Sequence, residues 1–213
     1  MPETRPSRRG RPPETSARAL EVAALLLFGD QGFHDTTVEQ IAAAAGVSRR
    51  TFFRYFDSKT EVLWHEFDTE VETIRTTLTH APTDVPIMAA IRHAVLAANH
   101  YRAEDVPELR LRMHLLSSVP DLIASAAVHY DAWERAISDF VATRTGRPAH
   151  SLYALGVGRA TLAVCRSAYD HWTERADDDL TVYLDTALRG LESGFRDEIL
   201  LSPAHRVYRH SKQ

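Results

Sequence analysis

Three arginines, Arg49, Arg50 and Arg54, stand within six residues, directly after Gly46, Val47 and Ser48. A guanidinium is planar, permanently charged and carries a fork of donors. It matches phosphate oxygens and the O6/N7 edge of guanine. Ser48 has the side chain to cap a short helix, which leaves Arg49, Arg50 and Thr51 in an outward-facing first turn. A helix of this kind fits the major groove of duplex DNA. The segment upstream supplies the mounting. Thr37 and Gln40 form a capping box at the head of a preceding short helix. Ala42 to Ala45 are small enough for the two helices to cross closely, and Gly46 can take the positive φ of a tight turn. Two short helices about such a turn make the helix-turn-helix pattern. Phe52 and Phe56, four apart, are expected to face the core.

Other chemistries find no matching pattern. The chain holds eleven histidines and one cysteine. It shows no H-E-x-x-H and no Cys/His cluster, so neither a metal nor a cofactor is expected. No G-x-S-x-G, phosphate-binding glycine loop or carboxylate pair with an acid–base partner appears, so the chain does not read as an enzyme. Cys165 lies in an apolar helical stretch and reads as inert packing. One thiol cannot form an internal disulfide, which points to a reducing, cytoplasmic setting. No apolar run of about 18 residues occurs, and the basic N-terminus lacks the apolar core of a secretory signal.

The elements that must position the arginines are all helical by periodicity. The 213 residues are 44% hydrophobic and 25% charged, an ordinary globular composition able to bury a core. Residues 1–59 carry nine Lys and Arg against seven Asp and Glu, and the remainder sixteen against twenty-two, so the two parts bear +2 and −6. The asymmetry agrees with a polyanion-facing N-terminal end. A first helix capped by Thr15 or Ser16 buries Leu20, Ala23, Ala24, Leu27 and Phe28 and stops at Gly32. The second buries Val38, Ile41, Ala42 and Ala45, and the third runs to about Phe56. Ser58 and Glu61 open a long fourth helix carrying Leu63, Phe67, Val71, Ile74 and Leu78. Further helices are expected over about 85–101, 107–118, 121–145, 150–175 and 178–200, with Pro120 breaking the chain. The result is an all-α chain of nine helices. A flexible basic arm covers 1–14, a three-helix DNA-binding head 15–60, and a helical domain 61–213.

Residues 16–67 resemble the TetR family of bacterial repressors. The pattern T-x-x-x-I-A-x-x-A-G-V-S followed by T-[LF]-[YF]-x-[YH]-F-x-[SN]-K is met by Thr37, Ile41, Ala42, Ala45, Gly46, Val47, Ser48, Thr51, Phe52, Phe53, Tyr55, Phe56, Ser58 and Lys59. The resemblance implies base reading by Arg49, Arg50, Thr51 and Phe53, and phosphate gripping by Thr37, Arg54, Tyr55 and Lys59. The arm arginines Arg5, Arg8, Arg9 and Arg11 would reach an adjacent groove. Two positions depart from the pattern. Phe53 replaces the usual Tyr and so loses a hydroxyl. Arg50 replaces a small residue, which suggests a guanine in the site. The runs RRTFFRYFDSK, EVLWHEFD and DVPIMAAI are similar to a mycofactocin-associated actinobacterial subgroup, which is associated with acyl-coenzyme A type effectors.

The family likeness further implies a homodimer on a palindromic operator in double-stranded DNA, released by a small apolar or amphipathic effector. The candidates to line an effector pocket are Trp64, Phe67, His93, His100, Tyr101, Met113, His114, Trp133 and Phe140. Trp133 and Phe140 sit on an apolar stripe and weigh toward core. Arg159 and Arg166 interrupt an apolar helix and suit either an anionic ligand or ion pairs at a dimer seam, the seam being favoured. The small residues Gly156, Ala160 and Ala163 would let that seam close tightly. The rival readings are a helical protein-interaction module and an activator without small-molecule release.

Overall fold

A computed structural model describes residues 13–101, 103–175 and 177–194. Over these residues the chain runs as nine α-helices and one short 3₁₀ turn, without a strand. The helices are α1 (Pro13–Gln31), α2 (Val38–Ala44), α3 (Arg49–Phe52), α4 (Glu61–Thr79), α5 (Ile87–Ala98), α6 (Val106–Ser118), α7 (Pro120–Thr145), α8 (Leu152–Arg175) and α9 (Leu180–Glu192). The basic arm over residues 1–12 and Phe195 lie outside the described residues.

Several boundaries differ from the sequence expectation for local reasons. Thr15 and Ser16 lie inside α1, which already begins at Pro13; the fixed φ of proline suits a first helical turn. Pro120 breaks the helical run as expected: Val119 before it is extended, α6 stops at Ser118, and Pro120 itself starts α7, where its missing N–H costs nothing. Regular α3 stops at Phe52 rather than Phe56, because Arg54 and Tyr55 donate to the carbonyls of Thr51 and Phe52, three residues back. Those bonds tighten the last turn. Gly194, at φ +74°, follows the C-cap of α9 well before residue 200.

The residues pack as two compact units, one holding 13–69 and 104–129, the other 70–103 and 130–194. The first unit is therefore larger than the expected head at 15–60, since it takes in α6 and the opening turns of α4 and α7. Its apolar core is built on Leu20, Ala24, Phe28, Ile41, Phe52, Leu63 and Leu122. Leu27, expected in that core, is only half-buried, while Leu25 is buried.

A charged cluster crosses the same core. Arg112 and Glu21 are 1% and 2% exposed and share a short charge-assisted hydrogen bond. Arg112 also reaches Glu66 at 2.8 Å, Glu108 at 3.0 Å and the Leu63 carbonyl at 3.2 Å. Arg18 closes the cluster on Glu108 at 2.7 Å and Glu21 at 3.1 Å. α1, α4 and α6 are thus held by charges that must stay paired. Burial raises the Glu66 carboxyl above its ordinary range against the opposing pull of Arg112.

In the second unit Trp133, Ala136, Ile137, Phe140 and Val141 are all buried, as their spacing on α7 predicts. Helices α7 and α8 meet at Gly158. A Cβ there would stand 2.6 Å from Ser138 Oγ and 2.7 Å from the Glu134 carbonyl oxygen. Within the unit this close approach is made by Gly158; Gly156 and Ala163, expected at a seam between two copies, are exposed and Ala160 is half-buried. Gly158→Ala is expected to force the two helices apart and to cost about 1–3 kcal/mol, the usual scale of overpacking. Thermal melts should show this as a fall of roughly 2–12 °C.

Cys165 is buried in the same unit, and desolvation pushes its thiol up to about 12. It should resist a disulfide reagent in native protein at pH 8 and react at once in denaturant. The folded pKa lies above the unfolded one, near 9. The thiol's contribution to stability is thus whole below pH 9 and is lost as pH rises toward 12.

Candidate nucleic-acid interface

The site is built from α2, the turn after it and α3. Thr37 Oγ1 accepts from the Gln40 N–H at 3.2 Å, and Gln40 Oε1 accepts from the Thr37 N–H at 2.8 Å, completing the capping box. Gly46 sits at φ +68°, and a Cβ there would meet nothing within 4 Å, so conformation and not space calls for glycine. The Val47 N–H donates to the Ala42 carbonyl at 2.9 Å and turns the chain into α3. Ser48 Oγ caps α3 by accepting from the Thr51 N–H at 3.1 Å, and it lies 2.9 Å from the Thr51 hydroxyl. Phe52 and Phe56 are buried and fasten the inner side of the segment.

The outer side carries the cations. Arg49, Arg50, Phe53 and Arg54 are exposed, whereas Thr51 and Tyr55 are half-buried. Arg50 makes no polar contact among the described residues. Arg54 donates to the Tyr55 hydroxyl at 3.1 Å and lies over its ring. Arg49 Nε meets Glu39 Oε1 at 2.6 Å, and its guanidinium carbon stands 4.9 Å from the Phe53 ring centroid.

Lys59 sits against the α1–α2 connection. Its ammonium donates to the carbonyls of Phe33 at 2.6 Å, Thr36 at 3.0 Å and His34 at 3.4 Å, and it faces the Phe33 ring. These bonds clamp the α1–α2 connection. Sequence reading also missed Glu39. It pairs with a residue ten positions away, across a turn, and no helical spacing announces such a contact.

The nine residues expected around an effector divide between the two units. Trp64 is fully buried in the first unit. Its indole donates to Ser125 Oγ at 2.8 Å, and its ring stacks on His129 at 4.4 Å. His129 is itself buried, 2.8 Å from Asp68. Phe67 and Met113 are half-buried and His114 is exposed in that unit. In the second unit Trp133 and Phe140 are core, His93 and His100 are exposed, and half-buried Tyr101 bonds to Glu70. Among the described residues no group of three His, Cys, Asp or Glu side chains is arranged to hold a metal, and no helix is long and apolar enough to cross a membrane.

Residues 22–64 match the family described as bacterial regulatory proteins, tetR family, and residues 85–196 match the MftR C-terminal domain. The chain belongs to the TetR family. It is a DNA-binding transcriptional regulator and not an enzyme. MftR of Mycobacterium tuberculosis, named for regulation of mycofactocin biosynthesis, is 33% identical over 188 residues, covering 88% of this chain and 95% of that protein. Two solved TetR-fold structures align along most of the chain. The fatty acid degradation regulator FadR of Bacillus halodurans has a TM-score of 0.63 at 17% identity, covering 89% of this chain and 99% of that one. FadR of Thermus thermophilus, a TetR-family repressor solved with lauroyl-CoA, has a TM-score of 0.54 at 24% identity, covering 84% and 95%.

Proposed function

We propose that the protein is a cytoplasmic repressor that binds a palindromic operator as a homodimer and leaves it when a small molecule binds. The observation that carries this reading is the display of Arg49 and Arg50 in the first turn of α3, raised by the Ser48 cap and backed by buried Phe52 and Phe56. Thr51 and Phe53 complete the base-facing group. Arg54, Tyr55 and Thr37 supply phosphate contacts. An isologous seam along α8 and α9, with exposed Arg159 and Arg166, would pair two copies.

Two recognition helices must stand roughly 34–36 Å apart to enter successive major grooves. An effector can act only by favouring a dimer of different spacing. An acyl-coenzyme A is the proposed class. Its support is the MftR-type C-terminal domain, the likeness to the mycofactocin-associated subgroup and a fold shared with a regulator solved with lauroyl-CoA. Within the first unit, half-buried Phe67 and Met113 are the candidates offered to an apolar ligand.

Selection of bound duplexes from a random pool, followed by anisotropy titration, tests this directly. A palindrome should be enriched, its affinity should fall steeply with salt, and long-chain acyl-coenzyme A should release it. Failure to enrich any sequence would refute DNA reading. A monomer at micromolar concentration in sedimentation counts against the dimer. Binding that no acyl-coenzyme A disturbs leaves an activator or an effector of another class.

A further inference from the structure

We infer that Glu39 is a positioning residue for base recognition, holding Arg49 so that the two terminal amino groups of its guanidinium face the base. This rests on the DNA-reading role proposed for α3. A guanidinium can meet a guanine only when its plane and its free edge are both presented correctly. Here the guanidinium carbon stands over the Phe53 ring, 4.9 Å from its centroid. The Nε edge is taken by Glu39 Oε1 at 2.6 Å. This ion pair on the Nε side leaves the opposite fork, Nη1 and Nη2, without a partner among the described residues, and that fork matches O6 and N7 together.

The brace stands on a firm base. Glu39 occupies the first turn of α2, where a carboxylate is favoured by the unpaired N–H groups, and the Thr37–Gln40 box fixes that turn. Arg50 has no such brace. Glu39 and Arg49 are each about 60% exposed, so their pairing adds little to folding. Its consequence is geometric: Arg49 arrives at DNA already ordered and loses less rotamer freedom on binding. The same carboxylate repels phosphates. Removing it therefore separates two effects, with general affinity rising and selectivity falling.

The test uses the full chain and the palindrome enriched from the random pool. Affinities of wild type, Glu39→Ala, Glu39→Gln, Arg49→Ala and Arg50→Ala are measured for that duplex, for single base-pair exchanges within it, and for an unrelated duplex. Glu39→Ala should bind the unrelated duplex more tightly. It should also lose about three- to tenfold of its discrimination at the base pair where Arg49→Ala loses its own. The pair read by Arg50 should be unaffected, and Glu39→Gln, which removes the charge of the ion pair, should lose discrimination as Glu39→Ala does. Tighter binding to every duplex with discrimination intact would make Glu39 a mere counter-charge and overturn the inference. Loss spread evenly over the site, as a displaced α2 would produce, overturns it too, as does an Arg49→Ala protein with full discrimination. If wild type enriches no sequence at all, the DNA-reading role itself fails and the inference falls with it.

Discussion

Arg112→Ala is expected to lower the stability of the protein by about 3–5 kcal/mol, the cost of breaking a buried ion pair from one side. Arg112 is the centre of the cluster that joins α1, α4 and α6, and its side chain is 1% exposed. Without it the Glu21 carboxylate stays buried with Arg18 at 3.1 Å as its remaining cation, and Arg18 is itself nearly half exposed. The Leu63 carbonyl also loses a donor. Urea unfolding should show a lower midpoint at an unchanged slope, because the exposed area of the unfolded chain barely alters. Thermal unfolding should fall by roughly 6–20 °C. A paired exchange, Arg112→Met with Glu21→Leu, should recover a large part of the loss, since no charge is then stranded in the core. A melting point unchanged by Arg112→Ala would show that the cluster does not hold these helices.

Arg50→Ala is expected to weaken binding to the selected operator by about 1–3 kcal/mol and to relax preference at one base pair in each half-site. Arg50 is exposed, its neighbours Ser48 and Phe52 fix the direction of the turn, and among the described residues no acidic side chain engages it. Its free fork suits the O6/N7 edge of guanine. Binding to unrelated duplexes should change far less, because a base contact adds to specific affinity alone. The measurement is a panel of single-exchange operators read by anisotropy at fixed salt. Uniform weakening on every duplex would move Arg50 from base reading to phosphate contact, with the salt slope reduced by about one.

The nature of the DNA-reading segment was legible in the residues themselves, and tertiary structure decided how its charges are arranged. Ser48, Gly46 and the Thr37–Gln40 box act within a few residues of chain, and the structure bears them out at 3.1 Å, φ +68° and 2.8–3.2 Å. The burial of Phe52, Phe56 and the Trp133–Val141 stripe likewise follows from helical periodicity, since the spacing alone gathers apolar groups on one face. The long-range pairings carry no such signal. Lys59 with the Phe33 and Thr36 carbonyls, Arg112 with Glu21, and Gly158 against the Glu134 carbonyl all join positions far apart along the chain. Local propensity sees neither partner of such a pair. Desolvation then decides which charged groups are held together inside and which stay free outside. An arginine's sequence neighbours therefore told where Arg50 would point, while only the packed helices could show that Arg112 turns inward and Lys59 becomes a clamp.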